Sequence, residues 1–316
     1  MKTLLIGADG LLGSYWIKKI TELYPEEEIR GTSRRIIKTS KNFFLDLAKL
    51  TESDLESLII SFRPEIVIYL AGVTNVDDCE RYKELALDMN ANIPARIAQK
   101  CNQNQIKFIY ISTDHLFGDD GSFFTEDEPV VLVNNYAKTK KLAEDMIVSN
   151  HPLALIIRTN FYGKSIASKP SFTDWIENNL KEKKEIRLGE DVYFNPVFMG
   201  DLVTVSHALL DKNQTGIFNV VSDDRLSKYE FGMLYAKFFG LNSQFIKPYK
   251  EREFPREVRR PCEMTLSNQK VKNITGMKLG KTSDGFERLK KEMEIPDTRV
   301  AEIKLNKKLQ SKDNQK

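Results

Sequence analysis

Short apolar runs alternate along the chain with longer segments in which apolar residues recur about every 3.6 positions. The runs cover residues 2–6, 28–32, 43–45, 66–70 and 107–111. Runs of this kind are typical of strands buried on both faces of a parallel sheet, and the segments between them are typical of amphipathic helices. One such helix is predicted over residues 79–104. This order of elements predicts an α/β fold with a Rossmann-like, doubly wound parallel sheet.

The composition argues against a membrane, a metal or a nucleic acid as a partner, and it favours one cellular compartment. The N-terminal apolar run breaks at Gly7, too early for a signal peptide or a membrane span. Cys79, Cys101 and Cys262 lie far apart without metal-ligand spacing, which favours a cytoplasmic protein and predicts no metal site. The net charge is +3, but residues 304–316 carry five Lys and one Asp, so the remainder carries 3 − 4 = −1. That balance does not suit a nucleic-acid surface.

A glycine-rich turn joins the first predicted strand to the first predicted helix. Its glycines permit a tight turn and close backbone approach, and the helix N-terminus offers free N–H groups to a pyrophosphate. The spacing is Gly-x-x-Gly-x-x-Gly instead of the commoner Gly-x-Gly-x-x-Gly, and a plain tight turn would also fit it. We predict a dinucleotide site here, formed by Gly7, Asp9, Gly10, Leu11, Leu12 and Gly13.

Two arginines follow the second predicted strand. A NAD-selective site usually places an acid there against the ribose 2′-hydroxyl, whereas the guanidinium groups of Arg34 and Arg35 suit a 2′-phosphate. The predicted cofactor is therefore NADP (NADPH), with NAD as the alternative cofactor and a solvated basic loop as the alternative interpretation. The ends of the next two strands complete the predicted cofactor set with Asp46, Leu47, Ala71, Gly72 and Val73.

The regular alternation ends after Arg158, which suggests two regions. We expect residues 1–165 to form the NADP-binding domain, rejoined by residues 190–221, where a further strand returns to the sheet. Residues 166–189 and 222–300 should form a smaller C-terminal substrate-binding region. Residues 301–316 form a basic tail that we expect to be disordered.

Tyr136 and Lys140 stand four residues apart at the start of a helical pattern, so both side chains should leave one helix face. A phenol titrates near ~10, and a positive charge beside it favours phenolate. That would lower the pKa of Tyr136 toward the working pH of a general acid. An ordinary amphipathic helix would carry the same pair.

The fifth strand delivers polar residues at its carboxyl end, namely Ser112, Thr113, Asp114 and His115. Open α/β sheets bind ligands at this edge. A hydroxyl and a carboxylate there can hold a substrate oxygen and exchange a proton, although local capping and turn chemistry would use the same residues.

These motifs together carry a resemblance to a known family. The glycine turn, Ser112-Thr113-Asp114, Tyr136-x-x-x-Lys140 and Arg158-Thr159 resemble the extended short-chain dehydrogenase/reductases. Residues 111–121 and 135–144 look most like the dTDP-4-dehydrorhamnose reductases. The resemblance covers roughly residues 1–290.

The resemblance implies roles for individual residues. Tyr136 would donate a proton to the carbonyl oxygen, Lys140 would hold the nicotinamide ribose, and Thr113 would hydrogen-bond the substrate, while the cofactor supplies hydride. Asp114 joins this catalytic set. The predicted substrate contacts are Thr74, Thr113, His115 and Arg260. In related proteins an Arg-Pro at the place of Arg260 lies near the sugar nucleotide, and a solvated basic loop is the alternative interpretation.

Two departures narrow the expected chemistry. The related dehydratases carry Asp-Glu after the threonine, where this chain has Asp114-His115, so dehydration is not expected. Related epimerase/reductases place a cysteine where Asp114 stands, which argues against epimerisation. The rhamnose reductases usually show Tyr at position 115 and Asp where Gly118 or Asp119 falls, which leaves the sugar open.

The expected function is NADPH-dependent reduction of the 4-keto group of a nucleotide-diphosphate 4-keto-6-deoxysugar, for surface polysaccharide biosynthesis. The alternatives are an epimerase, a reductase of another keto-sugar nucleotide, or a non-catalytic NADP-binding subunit like the regulatory partner of methionine adenosyltransferase. The expected partner is the sugar nucleotide, with no nucleic acid and no membrane. The sequence does not decide between a monomer and a homodimer.

Overall fold

A computed structural model describes residues 1–33, 42–253 and 257–294. Its strands are β1 Lys2–Ile6, β2 Glu28–Ser33, β3 Asn42–Phe44, β4 Ile66–Tyr69, β5 Lys107–Ile111, β6 Leu155–Arg158, β7 Phe161–Tyr162, β8 Ile186–Gly189, β9 Tyr193–Phe194, β10 Val197–Phe198, β11 Gly216–Asn219, β12 Leu226–Ser227 and β13 Ile246–Tyr249. Its α-helices are α1 Leu11–Leu23, α2 Glu52–Phe62, α3 Val76–Arg81, α4 Lys83–Leu87, α5 Ile93–Gln103, α6 Asn135–Asn150, α7 Phe172–Lys181, α8 Met199–Asp211, α9 Lys228–Phe238, α10 Gln269–Thr275 and α11 Thr282–Glu294.

The main sheet has the strand order β11-β6-β5-β4-β1-β2-β3, and every adjacent pair in it is parallel. The order reverses between β1 and β4, so the carboxyl ends of these two strands flank a crevice of the kind that binds ligands in open α/β sheets. The predicted doubly wound parallel sheet is confirmed. In addition, β11 lies beside β6 at one edge of the sheet, whereas the division into two regions stays a prediction.

The core lies on both faces of this sheet because neighbouring strand residues point in opposite directions. Leu5, Ile68 and Ile109 pack on the face that carries Trp16 of α1 and Val203 of α8. The opposite face carries α2, α5 and α6, whose apolar side chains pack against the strands. Buried residues on that face include Leu4, Val67, Phe108, Ile156, Ile59, Ile97 and Ile147.

The segment predicted as one helix over 79–104 is divided in the structure. The chain turns at Tyr82 between α3 and α4, and a π-helical turn, Asp88–Asn92, separates α4 from α5. The single-helix prediction is therefore wrong. A π-turn contains one residue more than an α-helical turn. Here the Asn90 side chain within it accepts a hydrogen bond from the Val73 N–H, just after the end of β4.

The last described helix is fixed to the first. Glu292 of α11 accepts hydrogen bonds from the Tyr15 hydroxyl at 2.5 Å and from the Lys19 ammonium at 2.6 Å. Elsewhere in the C-terminal half, β8 pairs with β13 and β9 pairs with β12. No helix in the described ranges is both long and apolar enough to cross a membrane.

Candidate active site

The turn between β1 and α1, together with the first residues of α1, requires glycine at two positions. Gly7 has φ +91°, and a Cβ there would lie 2.9 Å from the backbone nitrogen of Ala71. A Cβ at Gly13 would lie 2.2 Å from the carbonyl oxygen of Gly7. Gly10 precedes the first turn of α1 and brings no capping side chain. The glycines therefore let α1 begin close to the ends of β1 and β4.

This turn opens into a cleft of about 490 Å³ at the carboxyl edge of the sheet. A smaller hollow of about 160 Å³ shares Gly10, Ala71 and Gly72 with the cleft and lies on the β2 side. The predicted residues that line the cleft are Gly10, Leu11, Leu12, Ala71, Gly72, Thr74, Thr113, Asp114, His115, Tyr136 and Lys140. Those that line the hollow are Gly7, Asp9, Gly10, Leu47, Ala71 and Gly72.

Several predicted residues lie elsewhere. Asp46 caps a short 3₁₀ helix by accepting from the Ala48 N–H at 3.2 Å, and Gly13 packs beneath the turn. Both backbone groups of Val73 are taken by Asn90. Arg260 forms an ion pair with Asp77 at 2.8 Å, outside the lining of the cleft. Arg34 and Arg35 fall outside the described residues.

Helix α6 carries Tyr136 and Lys140 on one face, as predicted from their spacing. The side chain of Asn134 caps this helix by accepting from the Ala137 N–H at 2.9 Å. The Lys140 ammonium donates to the Ile111 carbonyl at 2.6 Å and lies 4.0 Å from the centre of the Tyr110 ring. Both α6 side chains are nearly buried, with Tyr136 9 % and Lys140 7 % exposed. The pair is therefore fixed against the end of β5.

The pKa of Tyr136 is shifted in the direction opposite to that expected. Burial raises it well above its usual range, and the largest opposing influence is the hydrogen bond with Thr113. Burial also lowers the pKa of Lys140 to about 7, while Glu144 and Cys79 act to raise it. Burial therefore makes the charged form of Lys140 less favourable and, at the same time, keeps the Tyr136 phenol protonated. The expected lowering of the phenol pKa by Lys140 was wrong for this arrangement.

Asp114 is held by a neighbour at the end of β6. Its Oδ2 accepts from the Asn160 side chain at 2.7 Å, and its Oδ1 lies 3.3 Å from the Thr113 hydroxyl. Burial raises the pKa of Asp114 to about 6, against the opposing effects of Asn160 and the Lys228 charge. A carboxyl group in this state can exchange a proton near neutral pH.

A family model described as the RmlD substrate binding domain matches residues 1–295. The chain belongs to this family. The family resemblance predicted from the motifs is thereby confirmed over residues 1–295.

Relatives of the RmlD-family chain include a probable low-salt glycan biosynthesis reductase of Haloferax volcanii. It is 27% identical over 283 residues, covering 87% of this chain and 92% of the relative. Methionine adenosyltransferase 2 subunit beta of Danio rerio is 26% identical over 272 residues, covering 84% and 82%. Among solved structures, dTDP-4-dehydrorhamnose reductase from Bacillus anthracis in complex with NADP has a TM-score of 0.82 at 24% identity and covers 92% of this chain and 99% of its own. The last likeness shows the fold.

His115 of this RmlD-family chain lies just after the end of β5, beside Tyr136. Its ring stands at 85° to the Tyr136 ring, with centroids 5.6 Å apart. Burial lowers the pKa of His115 to about 3, and the charges of Lys228 and Arg260 add to this effect. The ring is therefore neutral at neutral pH. Its Nδ1 atom is buried without a hydrogen-bond partner among the described residues.

Our sequence predictions missed four residues of this RmlD-family site. Asn90 fixes the β4 end by accepting from the Val73 N–H at 2.8 Å and donating to the Thr139 hydroxyl at 3.1 Å. Nothing in the local pattern distinguishes it from other helical amides. The carboxyl end of β6 lies at the same edge of the sheet as the end of β5. The rule that identified Thr113 therefore applies there too. That end and the segment after it supply Asn160, Phe161 and Lys169 to the cleft.

Proposed function

We propose that this chain reduces the 4-keto group of a nucleotide-diphosphate 4-keto-6-deoxysugar with NADPH, in the cytoplasm, for surface polysaccharide biosynthesis. The convergence of Thr113, Tyr136 and Lys140 on one cleft carries this proposal, since the cleft continues to the glycine turn. The similarity to a probable glycan biosynthesis reductase and to a dTDP-4-dehydrorhamnose reductase crystallised with NADP supports it.

The residues around the glycine turn fit a dinucleotide. Gly10 leaves the N-terminus of α1 clear of any side-chain cap, and Leu11 and Leu12 line the cleft directly after it. Helix N-termini of this kind bind phosphate through backbone N–H groups. Ala71 and Gly72, after the end of β4, also line the cleft, and their small size leaves room for a cofactor. NADPH bound here would supply the hydride.

The protein's own residues supply the proton and orient the carbonyl. Tyr136 holds its proton at neutral pH because burial raises its pKa, so the phenol is present in the protonated form that can donate to the oxygen receiving hydride. The same burial makes the phenol a weaker acid, and the hydrogen bond with Thr113 opposes this effect. Thr113 hydrogen-bonds the phenol and can share the same oxygen. Lys140 is anchored to the Ile111 carbonyl and lines the cleft, where its ammonium can hydrogen-bond the ribose of the cofactor. All three side chains are nearly buried, so their positions are fixed by packing at the edge of the cleft.

A non-catalytic binding subunit is the second candidate, favoured by the similarity to methionine adenosyltransferase 2 subunit beta. The poised set of Thr113, Tyr136 and Lys140 argues for catalysis instead. Tight NADPH binding without turnover of any 4-keto-6-deoxyhexose nucleotide would favour the subunit.

The purified protein should oxidise one NADPH for each dTDP-4-keto-6-deoxyhexose it consumes. It should not dehydrate dTDP-glucose, because the neutral His115 cannot replace the missing glutamate acid. Absorbance at the nicotinamide band, combined with product mass, measures both. Formation of the 4-keto-6-deoxy product from dTDP-glucose with only catalytic cofactor would contradict the proposal, and His115→Ala would then be tested for loss of that activity.

Replacing both Arg34 and Arg35 with alanine should weaken NADPH binding by about tenfold or more and leave NADH binding unchanged. Only NADPH loses charge-assisted bonds, which contribute ~1.5–3 kcal/mol each. Titration calorimetry with both cofactors measures the difference. Arg187→Ala, at a side chain 73% exposed on β8, is the matched control and should change neither affinity. Equal losses for NADPH and NADH would assign the two arginines to a solvated loop.

A further inference from the structure

A buried ion pair lies directly behind the candidate catalytic pair. Glu144 of α6 and Arg158 of β6 are 0 % and 2 % exposed. The guanidinium donates two hydrogen bonds to the carboxylate, from Nε to Oε1 at 3.0 Å and from its terminal nitrogen to Oε2 at 2.7 Å. This two-point geometry fixes the orientation of both groups in the interior.

The same carboxylate holds the end of β5. The Ser112 hydroxyl donates to Glu144 at 2.6 Å, and Ser112 lies between Ile111 and Thr113. Ile111 in turn accepts from Lys140 at 2.6 Å. Two links from α6, one turn apart, therefore clamp the strand end that presents Thr113 to Tyr136.

We propose that Glu144, fixed by Arg158, is a positioning residue that sets the place of Thr113 and maintains the positive charge of Lys140. This inference rests on the proposed function for its kinetic consequences. Four residues separate Lys140 from Glu144, so their side chains leave the same helix face.

The Glu144 carboxylate affects the protonation of Lys140 because Lys140 is buried beside it. Burial lowers the pKa of Lys140 to about 7, and the charges of Glu144 and then of Cys79 of α3 act to raise it. Tyr110 of β5 presents its ring face, and Tyr136 lies one turn earlier on α6. The ammonium is present below its pKa and is lost as pH rises through about 7. Removing the Glu144 charge should move that loss to still lower pH.

Glu144→Gln keeps the shape of the side chain and removes its charge. We expect the titration of Lys140 to shift down by about one pH unit or more, the size that nearby charges produce. The alkaline fall of kcat with NADPH should shift equally, with little change in KM for the sugar nucleotide. Titration of ¹³Cε-labelled lysine by NMR, assigned with Lys140→Met, measures the shift without reference to turnover, so it stands even if the proposed reaction is wrong.

Three further variants complete the test. Glu144→Gln with Arg158→Met removes the cation that the single variant leaves unpaired, so the fold is preserved while the shift of Lys140 remains. Asp145→Asn, at the next helix position, removes a carboxylate that is 61% exposed and should leave the Lys140 titration unchanged. Ser112→Ala cuts only the strand link and should lower kcat several-fold without moving the titration. An unshifted Lys140 in a folded Glu144→Gln protein, or an equal shift in Asp145→Asn, would overturn the inference.

Discussion

Tyr136→Phe should reduce turnover by ~10²–10⁴-fold, the usual range for a lost general acid, and leave the affinity for NADPH nearly unchanged. The substitution removes one hydroxyl from a side chain that is otherwise held by packing against Val76, Cys79 and Ala86. The ring therefore stays in place, and only the proton donor is lost. Steady-state kinetics with a dTDP-4-keto-6-deoxyhexose, together with a separate cofactor titration, measure the two effects.

The matched control is Tyr82→Phe. Tyr82 is 52% exposed at the junction of α3 and α4, and it does not line the cleft. It should keep full activity. Full reductase activity in Tyr136→Phe would remove the phenol from the mechanism, and an equal loss in Tyr82→Phe would point to a general effect of losing a hydroxyl.

Gly13→Val should weaken NADPH binding by ~10²-fold or more, equivalent to about 2.7 kcal/mol. The added Cβ would lie 2.2 Å from the Gly7 carbonyl oxygen and 2.9 Å from the Ala8 Cα, and both are backbone atoms that no side-chain rotation can move. The turn must shift away from α1, which is an overpacking cost of ~1–3 kcal/mol or more. Fluorescence titration of NADPH, with Tm as a second readout, measures the effect.

Gly10→Ala provides a graded comparison in the same turn. Its Cβ would lie 3.3 Å from the same carbonyl oxygen, and its φ of −74° is allowed for any residue. We expect a small loss of affinity and an almost unchanged Tm. If Gly13→Val binds NADPH as well as Gly10→Ala does, the turn is not the cofactor cradle.

The sheet and half of the site could be predicted because their signals are local. Strands buried on two faces read as continuous apolar runs, and the sheet edge where ligands bind follows from strand direction alone. This identified Thr113 and Asp114 at the end of β5, and the four-residue spacing placed Tyr136 with Lys140 on one face of α6. The fold class needed no knowledge of distant contacts.

The remainder depends on tertiary contacts that leave no local pattern. The Asn90 amide reaches the end of β4 only because a π-turn interrupts the helical segment, and neither periodicity nor capping residues indicate that turn. The pKa of Tyr136 depends on its burial, which opposes the effect expected from spacing to Lys140. Glu144 reads in the sequence as one more charge on an amphipathic helix, and only the approach of Arg158 makes it an interior group.

The bonds from Glu292 to Tyr15 and Lys19 also set an order of events during synthesis. The helix that follows the glycine turn acquires this anchor across a sequence separation of 277 residues. At ~5–20 residues per second, the ribosome needs about 15–55 s to add that length of chain. During this interval α1 and the glycine turn before it lack the contacts that α11 later supplies.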